Sequence, residues 1–185
     1  MSEQILIPIA DGVEDIETVT LIDVLRRAEL DVVVASTKST KQVTAARGTR
    51  IEADALLEEV ADREWKAVIL PGGLPGAENL RDSDQLKAVL VEQARRERWF
   101  GAICASPAYV LATHGLLDNR KATCYPAFQT QLPDRTQADR RVVQDGNCIT
   151  SQGPGTALPF ALTWAEKLAN AGLADRIAEA MLTSR

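Results

Sequence analysis

The sequence contains a single histidine, His114, among its 185 residues. It follows Cys104 by ten residues on what we predict to be one continuous helix, which separates the two by about 15 Å along the axis. His114 therefore cannot be a hydrogen-bonded base for the cysteine, and a Cys-His-Asp triad within one chain is excluded. Metal sites built on several histidines are excluded too. We expect no metal and no other cofactor, and interpret His114 as a helix C-terminal residue before Gly115.

Cysteines are also few, three in number, and they form no C-x-x-C pair. An odd number with separations of 20 and 24 residues argues against a disulfide framework and against a structural zinc site. Cys124 and Cys148 fall in predicted strands, where we expect them to pack as small apolar residues. If its strand neighbours that of Cys104, Cys124 would instead be a resolving thiol for a transient disulfide.

Basic residues are not in excess, because 21 lysines and arginines face 26 acidic residues, for a net charge of −5. Nucleic-acid binding is not expected without a basic face. Charges interrupt every apolar run within about ten residues, and the start Met-Ser-Glu-Gln lacks a basic region, so we expect neither a membrane span nor a secretory signal. The expectation is a cytoplasmic protein with one domain over residues 1–185, whose 45% hydrophobic content can fill one core.

Short apolar segments alternate along the chain with amphipathic ones. The predicted strands cover residues 4–9, 30–35, 67–70, 99–104, 121–125, 141–144 and 148–151, and a hairpin flap covers 41–45 and 50–52. The predicted helices cover 14–27, 83–98, 107–114, 156–171 and 173–182, and a single helical turn covers 54–57. Strands that lack polar alternation are buried on both faces. The pattern predicts a doubly wound α/β fold, a mostly parallel sheet with helices on both faces.

Unusual turns follow three of the predicted strands, at residues 11–17, 71–76 and 104–107. In open α/β sheets, ligands bind in the crevice outside the carboxyl ends of the strands. We therefore expect a functional site to assemble from these three turns. A fourth turn, residues 152–156, precedes a helix and is either a plain helix start or a cradle for a phosphate or carboxylate.

Cys104 stands between small residues where a predicted strand turns sharply into a helix. This arrangement parallels the nucleophile elbow of G-x-S-x-G hydrolases. The N-terminus of the helix that follows supplies partial positive charge and free N–H groups, both of which favour a thiolate. The alternative interpretation is a buried structural cysteine.

Two further features at these turns could complete a reactive site. Gly72 and Gly73 follow a buried strand, and their N–H groups would suit an oxyanion hole, although Gly-Gly is also an ordinary turn. Acidic residues Glu14, Asp15 and Glu17 begin the first helix, where the helix dipole alone favours them, and we expect one to point inward. A carboxyl group buried beside a cysteine would stay protonated and donate a hydrogen bond to sulfur.

Four motifs in one order connect these features with a known group of proteins. They are DGVEDIET at residues 11–18, LPGG at 70–73, AICASP at 102–107 and SQGPGT at 151–156. With them the sequence resembles the ThiJ/PfpI superfamily over nearly its whole length. Within it, the sequence most resembles the branch that holds the parkinsonism-associated deglycase and bacterial YajL.

The resemblance implies a flavodoxin-like sandwich of the class I glutamine-amidotransferase type and a homodimer. It implies an oxidation-sensitive nucleophile, Cys104, hydrogen-bonded to a protonated Glu17. The backbone donors implied are Gly72, Gly73 and Ala105. The other residues implied to line the site are Ser106, Tyr125, Arg27, Arg47, Gly153 and Pro154, of which the two arginines approach it near the dimer interface.

Two residues depart from patterns within the superfamily. The peptidase-like branch carries histidine directly after the nucleophile, and Ala105 here argues against proteolysis. The parkinsonism-associated protein carries histidine before the proline that matches Pro126, whereas this chain has Tyr125, which can donate a hydrogen bond but is a poor general base.

The resemblance and the motifs lead to three hypotheses about what the site does. Members are described as glyoxalases that need no glutathione, as deglycases of glyoxal- and methylglyoxal-modified amines or thiols, and as oxidative-stress proteins with chaperone activity. The first hypothesis is therefore an enzyme acting on a small aldehyde or glycated substrate. The second is a redox sensor or chaperone, in which donors near Ser106 help Glu17 to hold a sulfinate on Cys104. The third is an inert site, which predicts an ordinary or raised thiol pKa.

Overall fold

A seven-stranded sheet forms the centre of the protein in the computed structural model, which describes residues 3–184. Its strand order is β5-β2-β1-β6-β7-β9-β8, and β3 and β4 form a separate pair. The strands are Ile5–Ile9 (β1), Val32–Ser36 (β2), Gln42–Thr44 (β3), Arg50–Glu52 (β4), Ala55–Leu56 (β5), Ala67–Leu70 (β6), Trp99–Ile103 (β7), Val142–Asp145 (β8) and Cys148–Ser151 (β9). All neighbours in the sheet are parallel except β8 and β9. The predicted mostly parallel sheet is confirmed.

Five α-helices pack in two groups. They are Asp15–Arg27 (α1), Gly76–Arg81 (α2), Asp84–Arg95 (α3), Ala157–Leu168 (α4) and Ala171–Ala180 (α5). Helix α4 packs against α1 and α5, whereas α2 packs against α3 and a short π-helical segment, Pro107–Ala112. The two groups cover the two faces of the sheet, as the predicted doubly wound fold requires. This cover explains why β1 and β6 are buried at every position.

The chain order places several strand ends at one edge. The order reverses next to β1, because β2 lies on one side of it and β6 on the other. The carboxyl ends of β1, β6, β7 and β9 consequently open toward the same crevice. The turns after these strands are the predicted turns at 11–17, 71–76 and 104–107 and the one at 152–156.

The predicted hairpin flap is confirmed as the antiparallel pair β3 and β4. It is fastened to the turn after β1 by several hydrogen bonds. Thr44 N–H donates to Asp11 Oδ1 (2.9 Å), and Gly12 N–H donates to Thr44 O (2.8 Å). Beyond β3, Ala46 N–H donates to Val13 O (2.8 Å). The flap and the start of α1 therefore form one connected unit.

Two predicted elements are wrong, and one helix was not predicted. Residues 54–57 are not a helical turn, because they form β5 and then enter a 3₁₀ turn at Leu57–Glu59. Residues 121–125 are not a strand, because their only ladder contact is an isolated bridge between Lys121 and Asp134. Helix α2 was missed because it begins at the end of a segment rich in glycine and proline, residues 71–76, and such segments usually form loops.

No helix between residues 3 and 184 is long and apolar enough to cross a membrane.

Candidate active site

Cys104 directly follows β7 in a left-handed backbone conformation, with φ of +65°. Few residues other than glycine adopt this conformation, and in folded proteins it is often associated with functional sites. Two hydrogen bonds keep the backbone there: Cys104 N–H donates to Ser151 O (3.0 Å), and Tyr125 N–H donates to Cys104 O (2.8 Å). The predicted sharp elbow is present, and the strained residue is the cysteine itself.

Glycines next to the elbow allow its tight packing. A Cβ atom on Gly72 would lie 2.6 Å from Cys104 Cβ and 2.6 Å from Ile103 O. A Cβ atom on Gly101 would lie 2.0 Å from Ile149 O of the neighbouring strand. Real Cβ atoms do not approach so closely, so both positions require glycine at this backbone separation.

Glu17 is the acidic residue that points inward, and it is fully buried. Its Oε2 accepts a hydrogen bond from Gly72 N–H (2.8 Å), while Oε1 has no hydrogen-bond partner. The other two carboxylates are used locally. Glu14 Oε2 accepts from Glu17 N–H (3.0 Å) as the cap of α1, and Asp15 Oδ2 accepts from Arg47 N–H (2.9 Å) in the flap. The choice among the three acids is thereby resolved.

The Glu17 carboxyl and the Cys104 thiol affect each other's titration. Burial raises the pKa of Glu17 to about 7, against the opposing effects of Gly72 N–H and a hydrogen-bonding contact with Cys104. Burial also raises the pKa of Cys104 to about 12, and the negative charge of Glu17 adds to that rise. The N–H groups of Gly73 and Ala105 oppose it.

It follows that this buried pair resists holding two negative charges. A thiolate is favoured when the proton resides on Glu17, because a neutral carboxyl no longer repels the sulfur and its hydroxyl can donate to it. Burial thus works against the thiolate that the helix N-terminus was expected to favour, and a raised thiol pKa is also what the inert-site hypothesis predicts. The charge of Glu17 causes part of the rise, so the protonation state of Glu17 influences the reactivity of the thiol.

The structure corrects the predicted roles of Gly72 and Ser106. Gly72 N–H is not free for an oxyanion, because it donates to Glu17 Oε2. The backbone donors near sulfur are Gly73 and Ala105. Ser106 does not line the site through its side chain: its buried hydroxyl donates to Pro71 O (2.5 Å) and so ties the Cys104 turn to the glycine turn.

Cys104 opens into a cavity of about 300 Å³. Its lining residues are Glu14, Ala46, Arg47, Gly73, Leu74, Cys104, Ala105, Tyr125, Phe128 and Pro154. Arg47, Tyr125 and Pro154 therefore lie where they were predicted. Gly153 is close as well, because a Cβ atom on it would be 4.0 Å from Cys104 Sγ.

The turn at 152–156 is a helix start. Its Gly153 N–H donates to Thr156 Oγ1 (3.0 Å), and a 3₁₀ turn at Pro154–Thr156 leads into α4. Thr156 Oγ1 also lies 2.7 Å from Ser151 Oγ, so the turn is held from within. This geometry favours the simpler of the two interpretations, because the Gly153 donor is not available to an anion.

Arg27 does not reach the pocket of its own chain. It ends α1, ten residues after Glu17, which corresponds to about 15 Å along the helix. Its side chain pairs instead with Asp23 (2.8 Å), and it is not among the pocket-lining residues. Arg27 therefore does not line the pocket within one protomer, and its predicted approach to the site near a dimer interface stays a prediction.

His114 is likewise not among the residues that line the pocket. Its Nε2 lies 3.2 Å from Arg81 O, and burial lowers the pKa of the imidazole. The helical segment that follows Cys104, Pro107–Ala112, ends before His114. His114 therefore lies in the next turn, just before Gly115.

The three cysteines are free thiols, and two of them are packed away. Cys148 pairs with Phe100 inside the sheet, as expected of a packing residue. Cys124 is fully buried, and its Sγ donates to Tyr125 O (3.4 Å). Burial raises the pKa of each to about 12. Within residues 3–184, no group of three histidine, cysteine or acidic side chains could hold a metal ion.

The pocket also contains residues that the sequence reasoning missed, above all Leu74 and Phe128. Phe128 follows Tyr125 by three residues in the 3₁₀ segment Pro126–Gln131. Residues three apart share a side of such a helix. Recognising that Pro126 begins a helical turn would have placed both rings on one wall.

A protein-family model described as the DJ-1/PfpI family matches residues 3–167. The chain belongs to the DJ-1/PfpI family. It is 49% identical to Protein DJ-1 homolog B of Arabidopsis thaliana over 164 residues, which are 89% of this chain and 37% of that protein. It is 37% identical to "Glutathione-independent glyoxalase DJR-1.2" of Caenorhabditis elegans, over 90% of this chain and 88% of that protein.

The family's solved structures share the fold. Oxidised DJ-1 of Toxoplasma gondii superposes with a TM-score of 0.96 at 42% identity and covers 100% of both chains. The chain spans about two fifths of the length of two Arabidopsis relatives, 37% and 42%. Family membership and the flavodoxin-like fold were both predicted from the four motifs, and both are confirmed.

Proposed function

We propose that this DJ-1/PfpI protein converts glyoxal, methylglyoxal or their early adducts into hydroxy acids, without glutathione. The observation that carries the proposal is the pairing of Cys104 with a buried Glu17 whose pKa lies near 7. A carboxyl group with such a pKa exchanges protons readily at neutral pH. The similarity to a nematode glutathione-independent glyoxalase supports the same activity.

Addition of sulfur to the aldehyde is the first step. Glu17 takes the thiol proton, Cys104 Sγ bonds to the aldehyde carbon, and the carbonyl electron pair moves to oxygen. The N–H groups of Gly73 and Ala105 stabilise that oxyanion. Glu17 then protonates it, which yields a neutral hemithioacetal and returns the carboxylate.

The second step is an internal transfer of hydrogen. Glu17 removes the proton from the carbon bound to sulfur, and the electron pair forms an enediol with the neighbouring ketone carbon. Protonation of that ketone carbon gives a thioester, so one carbon is oxidised while the other is reduced. Water then hydrolyses the thioester, releases the hydroxy acid and restores the thiol, so no external oxidant or reductant is required.

The test is lactate formation from methylglyoxal by wild type, Cys104→Ser and Glu17→Gln. Both variants should lose at least a hundredfold in kcat/KM, because one removes the nucleophile and the other the proton carrier. Asp62→Asn removes an exposed carboxylate that does not line the Cys104 cavity and serves as the control. Unchanged turnover in Cys104→Ser would overturn the proposal.

Deglycase activity is the version of this chemistry that begins from an adduct. A hemithioacetal or aminocarbinol of methylglyoxal releases free aldehyde reversibly. Cys104 either captures this released aldehyde or attacks the adduct itself and displaces its thiol or amine. Adduct disappearance faster than spontaneous release would support direct action. Disappearance limited by the spontaneous rate would assign the activity to free aldehyde alone.

A second candidate function is redox sensing or a redox-controlled chaperone activity. Cys104 is 8% exposed, compared with 0% for Cys124 and 2% for Cys148, so peroxide reaches it first. Two peroxide molecules would each transfer one oxygen to sulfur and leave as water, which forms a sulfinate. Peptide mass spectrometry after mild peroxide treatment should find the two added oxygens on Cys104. Equal oxidation of all three cysteines would contradict it.

We also propose a homodimer. Ile16 and Val19 on α1 are 57% and 50% exposed, an unusual exposure for apolar residues on neighbouring turns of one helix. The predicted approach of Arg27 to a site near the dimer interface would also require such a partner, because Arg27 does not line the pocket of its own chain. Light scattering should give twice the chain mass for wild type and a monomer for Val19→Glu; a monomeric wild type would end the proposal.

A further inference from the structure

One wall of the cavity around Cys104 is aromatic. Tyr125 and Phe128 both line the cavity, and their ring centroids are 5.8 Å apart with a tilt of 42°. Tyr125 is 43% exposed and so presents ring surface to whatever occupies the cavity. Neither ring is used by the chemistry proposed above, which requires only sulfur, the Glu17 carboxyl and two backbone donors.

The rings are held in place rather than free to swing. Tyr109 packs edge-on against Phe128, with centroids 5.0 Å apart and planes at 78°. The backbone of Tyr125 is fixed to the elbow through its N–H bond to Cys104 O. Aromatic pairs in such geometries are stabilised beyond simple burial. The wall is therefore preformed and needs little ordering when a ligand binds.

The Tyr125 ring and the reactive sulfur both lie close to Gly153. The position where Gly153 would carry a Cβ atom lies 3.3 Å from Tyr125 Cδ2 and 4.0 Å from Cys104 Sγ. The ring and the sulfur are thus both close to the same position on Gly153. A substrate bonded to Sγ with its oxygen on Gly73 and Ala105 N–H would have to place its remaining substituent in the cavity that Tyr125 and Phe128 line.

Apolar groups continue the surface elsewhere in the cavity, through Leu74, Pro154 and Ala46, while the charged Glu14 and Arg47 also contribute. The volume of about 300 Å³ falls at the lower end of the range for small-molecule sites, roughly 300–1,000 Å³. Methylglyoxal would leave much of it unfilled. The cavity therefore suits an aldehyde with a larger apolar substituent.

We propose that Tyr125 and Phe128 make the site selective for α-oxoaldehydes whose ketone carbon carries an apolar, planar substituent such as a phenyl ring. This inference rests on the proposed glyoxalase function and names its substrate class. Glyoxal, which has only hydrogen at that carbon, leaves the wall unused. The bond changes are those described above, because the substituent takes no part in them.

Turnover of a substrate series tests the proposal. We expect kcat/KM to rise from glyoxal to methylglyoxal to phenylglyoxal in wild type. Phe128→Ala should lower the ratio of kcat/KM for phenylglyoxal to that for methylglyoxal about tenfold, since it removes one stacking surface. Val91→Ala removes an exposed apolar side chain outside the cavity and should leave the ratio unchanged.

Two further variants guard against misfolding and against a mere size effect. Tyr125→Ala alters an exposed ring and should lower the same ratio, and Tyr125→Phe, which keeps the ring, should retain it. A ratio that stays at the wild-type value in both Phe128→Ala and Tyr125→Ala would overturn the proposal, even if methylglyoxal is turned over normally.

A binding measurement separates this proposal from the function on which it rests. Mandelate and lactate are the hydroxy acids from phenylglyoxal and methylglyoxal, and they can shield Cys104 from iodoacetamide without any turnover. Mandelate should protect wild type at about tenfold lower concentration than lactate, and Phe128→Ala should abolish the difference. Protection of this kind without aldehyde turnover would contradict the glyoxalase function and retain the apolar selectivity. Equal protection by both acids in wild type would contradict the selectivity.

Discussion

Gly72 N–H donates a 2.8 Å hydrogen bond to Oε2 of Glu17 and leaves the other carboxyl oxygen, Oε1, buried without a partner. A buried acceptor without a donor is costly, and it becomes satisfied if Oε1 carries a proton that it can donate to sulfur. The relationship thus favours a neutral Glu17 and connects the glycine turn to the state of Cys104.

Stability should depend on pH through Glu17. Its pKa rises from 4.5 to about 7 on folding, so the folded state binds this proton more tightly than the unfolded state. The contribution of Glu17 to stability therefore falls as the pH rises from about 4.5 to about 7, by about 3 kcal/mol in total. Glu17→Gln does not titrate, so its free energy of unfolding relative to wild type should increase by about that amount over this interval. Urea unfolding at pH 4.5 and pH 8 measures the difference.

The control for that measurement is Asp23→Asn, an exposed carboxylate on the same helix. Its difference from wild type should remain nearly constant between the two pH values. A constant difference for Glu17→Gln as well would mean that the Glu17 pKa is not raised by folding.

The thiol pKa of Cys104 should fall in Glu17→Gln. The negative charge of Glu17 raises that pKa, and the substitution removes the charge while it keeps the side-chain shape. Iodoacetamide labelling of Cys104 across pH, followed by peptide mass spectrometry, gives the pKa directly. Asp23→Asn should leave the value unchanged. An equal pKa in wild type and Glu17→Gln would be the behaviour of an uncoupled, inert thiol.

A methyl group at Gly72 should damage both the fold and the site. Its Cβ atom would lie 2.6 Å from Cys104 Cβ, so Gly72→Ala must displace the elbow at a cost of about 1–3 kcal/mol. The temperature of thermal unfolding and the rate of methylglyoxal turnover should both decrease. Gly155→Ala is the matched control, because nothing lies within 4 Å of its added Cβ atom. Wild-type behaviour of Gly72→Ala would show that the turn is far looser than the structure indicates.

The hydroxyl of Ser106 should matter for stability more than for chemistry. Ser106→Ala leaves the buried Pro71 O without its donor, at an expected cost of about 1–3 kcal/mol in the free energy of unfolding. Chemical denaturation measures it, with the exposed Ser39→Ala for comparison. A variant as stable as wild type would show that Pro71 O finds another donor.

Much of the site could be predicted because a few individual residues provide its reactive groups. An elbow cysteine between small residues is visible in the sequence and indicates Cys104. The acidic first turn left Glu14, Asp15 and Glu17 as candidates, and only the family resemblance indicated Glu17. Hydrogen-bond direction is not visible in this way. The sequence does not distinguish Gly72 from Gly73. In the structure, Gly72 N–H donates to Glu17, whereas Gly73 N–H lies near the sulfur of Cys104.

The segment 121–125 shows why local pattern failed elsewhere. Its apolar residues suggest a strand, but Tyr125 N–H bonds to Cys104 O rather than to a neighbouring strand, and Pro126 ends any further pairing. Tertiary contacts therefore decided the conformation of this segment. Phe128 lines the cavity because a 3₁₀ segment begins at Pro126, and the predicted strand over 121–125 did not lead us to expect a helical turn there.

The attachment of the hairpin flap to the turn after β1 bears on how molecules enter. Because Thr44 and Ala46 are bonded to Asp11 and Val13, the flap that carries Arg47 and the helix that carries Glu17 move together. The mouth of the cavity consequently has no hinged lid on that side. Entry of a small ligand should then be limited by its encounter with an open mouth and by the motion of single side chains such as Leu74, and not by the slow opening of a loop.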